Sequence, residues 1–113
     1  MIDPAAMSNV ADLAQLVTIE PGAKQVQQAF IAAGVRVMVF AFDTGQGLPE
    51  HAAPHPVLIQ ALQGELTVTA ADRTVTLVPG GVVHFAPSLP HAVIADSPAK
   101  MALFMLTGEA ASM

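Results

Sequence analysis

Gly45, His51 and Gly64 read G-x5-H with a glycine thirteen residues on, and a second cluster, GGVVHFAPSLPH, spans 80–91 and ends in His91. Two imidazoles delivered by separate stretches of chain are the start of a metal site or a polar ligand site, since neutral imidazole offers a lone pair to either. His55 follows four residues after His51, and His84 lies inside the second cluster. Other chemistry has little support. Cysteine is absent, which removes thiolate ligands, thiol nucleophiles and disulfides. There is no G-x-S-x-G elbow, and Gly80-Gly81 is not followed by a helix or a lysine that would hold phosphate. The acidic residues fall mostly at turns and ends, so no carboxylate pair suggests itself for acid–base work. Glu50, beside His51, points away from it on a straight strand.

The elements that must position these histidines are strands. Runs rich in Val, Ile, Leu, Phe and Thr cover 26–32, 35–42, 57–62, 65–71, 74–78, 82–86, 92–95 and 101–107, each bounded by Gly, Pro, Asp or Asn. Leu66, Val68 and Ala70 alternate with Thr67 and Thr69, and Thr74 and Thr76 alternate with Val75 and Leu77, as in strands with one wet face. The turn at Asp72-Arg73 predicts that these two form a hairpin. One short helix is predicted over 10–16, capped by Ser8, and Pro21-Gly22 then turns the chain. So many short strands predict an all-β fold, an antiparallel barrel or jelly roll with its edges hidden. The strands at 35–40 and 101–106 are apolar on both faces, and their outer faces are expected to bury against a second subunit, making a homodimer.

The chain has 113 residues, enough for one domain, with 53% hydrophobic and only 12% charged residues. Its net charge of -5 and its few cations, Lys24, Arg36, Arg73 and Lys100, lack the basic stripe that phosphate backbones require, so nucleic acid is not an expected partner. Residues 74–95 are uncharged over a membrane-spanning length, but three prolines, a Gly-Gly pair and two histidines interrupt them, so no membrane span is expected. The first seven residues hold Asp3 and Pro4 and no cation, so a cytoplasmic chain is expected. The expected organisation is an arm with the short helix (1–16), one barrel (17–108) and a loose tail (109–113).

These residues resemble a small single-domain cupin of the conserved-barrel type in the RmlC-like superfamily, whose motifs are G-x5-H-x-H-x3-4-E-x6-G and G-x5-P-x-G-x2-H-x3-N. Gly45, His51 and Gly64 fall on the first pattern without gaps, and Gly81, Pro87 and His91 follow the second. The resemblance implies a double-stranded β-helix, with His51 and His91 as ligands of a divalent transition metal. It also departs from the pattern. The second histidine falls on Ala53, the glutamate on Val57 and the final asparagine on Ala95, and the second motif is one residue short before His91.

His55 is the candidate to fill that gap. On one straight strand it would lie about 13 Å from His51, at about 3.3 Å per residue, too far to share an ion. Pro54 and Pro56 oppose a continuous paired strand. A bend at 52–54 would let His55 begin the next strand on the side of Val57, and His51, His55 and His91 would form a triad suited to Zn, Fe, Ni, Mn or Cu. Gln60, Phe40, Met38, Phe85 and His84 are the candidates for an adjoining ligand pocket, although an unassigned histidine such as His84 is more often a hydrogen-bonded structural residue. Three functions stay open. The first is a metal-dependent cupin binding a small organic molecule, with oxygenase, isomerase or cyclase-type activity if it is an enzyme. The others are a metal-free binding or sensing barrel and a structural dimer module.

Overall fold

The hairpin of β5 (Leu66–Ala70) and β6 (Arg73–Leu77) sets the pattern for the whole molecule. Leu66, Val68 and Leu77 are buried while Thr69, Thr74 and Thr76 are exposed, so alternation decides which face turns inward. The computed structural model describes residues 7–108. The connecting turn is Ala71-Asp72 rather than Asp72-Arg73, and Arg73 pairs with Ala70. Ala71 takes a φ of 54°, a left-handed conformation usually given to glycine or asparagine, which is why the side chains alone misplace the turn by one residue.

The remaining strands are β1 (Lys24–Ala32), β2 (Val35–Phe42), β3 (Gly47–His51), β4 (Val57–Gln63), β7 (Val82–Phe85), β8 (His91–Ala95) and β9 (Ala99–Met105). They form a five-stranded sheet, β1-β2-β9-β4-β7, and a four-stranded sheet, β3-β8-β5-β6, antiparallel throughout. Between them lies a core that includes Phe42, Ile59, Leu66, Val68, Phe85, Val93 and Met101, all at most 3% exposed. This is the expected jelly roll. Strand β3 was not foreseen, because Gly-Leu-Pro-Glu-His has neither alternation nor β-branched residues. It is an edge strand with an irregular register on β8, a place where proline is tolerated. A Cβ at Gly47 would collide with the Val93 carbonyl, so only glycine lets β3 approach β8 this closely.

Two expectations change. The helix over 10–16 is a single 3-10 turn (Leu13–Leu16), capped by Asp12 rather than Ser8: the Asp12 carboxylate accepts from the Ala14 N–H at 3.1 Å. The outer face of β2 is covered by the chain's own N-terminal segment. Val39 and Ala41 are buried against Val17, with Leu13, Ile19 and Leu62 packed around them. Lys100 Nζ donates to the Ala14 carbonyl at 2.7 Å and fastens that segment across β9. The second apolar face of β2 is thus filled within one chain. The tail at 109–113 lies outside the described residues, and no helix among those described is long and apolar enough to cross a membrane.

Candidate functional site: a histidine pair in the barrel mouth

His51 closes β3 and His91 opens β8, and the two are partners across the strands. Their ring centroids lie 4.4 Å apart at 62°. The separate motif segments therefore meet, as the spacing predicted. The loop before His91 is held in place by the Ser88 N–H, which donates to the Ala53 carbonyl at 2.7 Å. His91 is 1% exposed and stacks on Phe85 with centroids 4.0 Å apart and planes 5° apart, whereas His51 is exposed.

Both rings are tied the same way. Nδ1 of His51 lies 2.8 Å from the Pro49 carbonyl, and Nδ1 of His91 lies 2.9 Å from the Leu89 carbonyl. A carbonyl only accepts, so each Nδ1 carries the hydrogen and each neutral ring keeps a bare lone pair on Nε2. Burial pushes the His91 pKa below the usual histidine range, opposed by the Leu89 carbonyl and reinforced by the neighbouring His51. The neutral form is the favoured one. Its Nε2 is buried and has no hydrogen-bond partner, the one such side-chain atom among the described residues.

The expected triad is not assembled. Among the described residues no three His, Asp or Glu side chains gather into a group that could hold a metal ion. The chain does bend after His51, but β4 begins only at Val57, so His55 stays half-buried in the bend and is not aimed by the strand pleat. Val57, at the family's glutamate position, is 2% exposed within the core, and Ala53, at the second histidine position, packs against it. Two imidazoles without a third donor do not fit a resident ion held by three or four protein ligands.

The pocket candidates divide. His84 and Phe85 line a cavity of ≈ 190 Å³ with Val68, Ala70, Val75, Val83, Leu89 and Arg73. Phe40 is instead stacked on Phe42 in the core, Met38 packs against that core, and Gln60 shares the outer face of β4 with Leu58 and Leu62. A larger cavity of ≈ 440 Å³ opens on the outer face of the four-stranded sheet, beside Thr67, Thr69, Ala92 and Ile94, and neither histidine lines it. Arg73, which the sequence reading did not single out, lines the smaller cavity as well. The available signal was its parity with Val75 and Leu77, which places it on the inner face.

The structure is similar to a conserved protein of unknown function from Streptococcus pyogenes, at 26% identity over 96% of each chain and a TM-score of 0.81. It is also similar to a cupin superfamily protein from Desulfitobacterium hafniense, at 23% identity, 94% and 97% coverage and a TM-score of 0.80. A third likeness is to KdgF from Halomonas sp., at 22% identity, 80% and 85% coverage and a TM-score of 0.69. A search of curated proteins finds no match. Residues 38–107 match the cupin domain model, a segment holding both histidines and seven whole strands, and the chain therefore belongs to the cupin domain family.

Proposed function

We propose that this chain binds a small organic molecule in the barrel mouth without a resident metal, and that the ligand presents a hydroxyl or N–H donor to the histidine pair. The carrying observation is the bare, buried Nε2 of His91. Leaving it unpaired costs about 1–3 kcal/mol, which a donor hydrogen of the ligand offsets. Nε2 is sealed from solvent, so entry requires a neighbour to move. His51 is the exposed one, and its Nδ1 is held by the Pro49 carbonyl.

Catechol and its dimethyl ether veratrole test this in EDTA, since they share a ring and differ in donor hydrogens. Catechol at a hundred times its Kd is expected to add about 2.7 kcal/mol of stability. Veratrole and the His91→Phe variant are expected to show no such gain. Equal responses to both compounds would reject the assignment.

A second reading has one observation in its favour: an Nδ1 donated to a backbone carbonyl is also how metal-bound histidines are oriented. A divalent ion held by His51 and His91 alone, completed by water or ligand, would be weak and exchangeable. Equilibrium dialysis of untagged protein with Zn²⁺ separates the two readings. Stoichiometric binding lost in both His51→Ala and His91→Ala would favour the ion, and with it a metal-dependent activity.

A further inference from the structure

We propose that the cavity between β6 and β7 is a binding site for a small carboxylate with an apolar body, whose charged end is held by Arg73. The chain has four fixed cations, and three are engaged. Lys24 Nζ donates to the Gly47 carbonyl at 2.9 Å, Arg36 Nε to Gln28 Oε1 at 3.1 Å and Lys100 Nζ to the Ala14 carbonyl at 2.7 Å. Arg73 has no such bond and no ion pair among the described residues. It opens β6 on the same face as Val75 and Leu77, and it lines the ≈ 190 Å³ cavity whose other walls are mainly Val68, Val75, Val83, Phe85 and Leu89.

Size and charge both fit this ligand class. A cavity of about 150 Å³ lined by apolar side chains is enough to hold benzene, so this one accepts a six-membered ring or a branched chain. A guanidinium offers two parallel N–H donors that match a carboxylate, and Arg73 is the only Lys or Arg in the lining. Strand β6 ends the four-stranded sheet and β7 ends the five-stranded one, and the two do not pair. The seam between them is the way in. His51 and His91 do not line the cavity, so the site does not rest on the histidine-pair reading, although Phe85 lines it and also stacks on His91.

Benzoate and benzyl alcohol are the probes, titrated into the full chain while the methyl resonances of Val68, Val75, Val83 and Leu89 are followed by NMR. Benzoate is expected to shift these methyls saturably and to bind at least about ten-fold more tightly than the alcohol, the difference a charge-assisted contact makes. Arg73→Gln, a change at an exposed position, should bring benzoate down to the level of the alcohol and leave the alcohol unchanged. Arg73→Lys should fall between. His51→Ala should leave the affinity for benzoate, which has no donor hydrogen to offer the histidine pair, unaltered. The proposal is overturned if these methyls do not respond to benzoate, if the two probes bind equally, or if Arg73→Gln changes nothing. Loss of benzoate binding in His51→Ala would also overturn it and move the ligand to the histidine pair.

Discussion

Replacing His91 with phenylalanine separates a structural histidine from one kept for a ligand. The substitution preserves the parallel stack on Phe85 and removes the bare Nε2. It also removes the bond from Nδ1 to the Leu89 carbonyl, at a cost of about 0.5–1.5 kcal/mol, lessened because Leu89 is only half-buried. Relief of the unpaired acceptor contributes about 1–3 kcal/mol in the opposite direction. The slightly larger ring presses toward His51, an exposed side chain with room to yield. The variant should therefore be between unchanged and about 2 kcal/mol more stable, which raises the Tm by at most roughly 8 °C in a domain of this size. Guanidinium and thermal unfolding measure this, and catechol binding should vanish in the same protein. A loss of more than about 1.5 kcal/mol would refute the reasoning, because His91 would then be stabilising the fold through its polar atoms. His91→Ala, which removes the ring as well, should lose roughly 2–4 kcal/mol and confirms that the position is packed.

The remaining predictions test the frame around that residue. Because the folded state lowers the His91 pKa, the unfolded chain binds more protons once the pH drops to the ordinary histidine range. Its contribution to stability is therefore complete above about pH 6.5 and declines as the pH falls toward the folded-state pKa, and urea titrations should show that slope reduced in His91→Phe. Gly47→Ala forces the Val93 backbone away from β3 and should cost about 3 kcal/mol, with loss of the His51–His91 pairing visible in amide exchange. Val17→Ala weakens the cover over Val39 and Ala41 and should cost roughly 2 kcal/mol, independent of protein concentration. A concentration-dependent loss would instead place a second subunit on that face.

Strand identity was legible where one face is wet and the other dry. The Thr and Val alternation of β5 and β6 carried the hairpin, and the sheets could be anticipated from it. Strand β3 was illegible because its pairing depends on a glycine that fits under the Val93 carbonyl, a tertiary reason that no local propensity registers. The two-faced apolarity of β2 was read as burial, and within one chain the N-terminal segment supplies that cover at Val39 and Ala41. A short N-terminal segment with Leu13, Val17 and Ile19 looks no different in sequence from one that lies free. At the candidate site, the motif positions anticipated that His51 and His91 meet, but what each ring can do depends on the carbonyls of Pro49 and Leu89, which are backbone groups invisible to residue type. His55 illustrates the converse error: the bend that was to deliver it exists, and the strand that was to aim it starts two residues too late.

These particulars bear on why a polar ring occupies that position. Apart from His51, His91 meets positions that the fold has made apolar: Phe85 lies flat on one side, Ala70 pairs with it across the sheet, and Phe85 in turn pairs with Val57. Phenylalanine or leucine would satisfy such packing without an unpaired acceptor, whose cost of about 1–3 kcal/mol is a sizeable share of a small domain's net stability of about 5–15 kcal/mol. Packing alone thus predicts a different residue from the one present. The discrepancy disappears once a donor hydrogen or an ion reaches Nε2, and the exposed imidazole of His51, alongside it with its own Nε2 directed by the same kind of carbonyl tie, supplies the second half of such a contact.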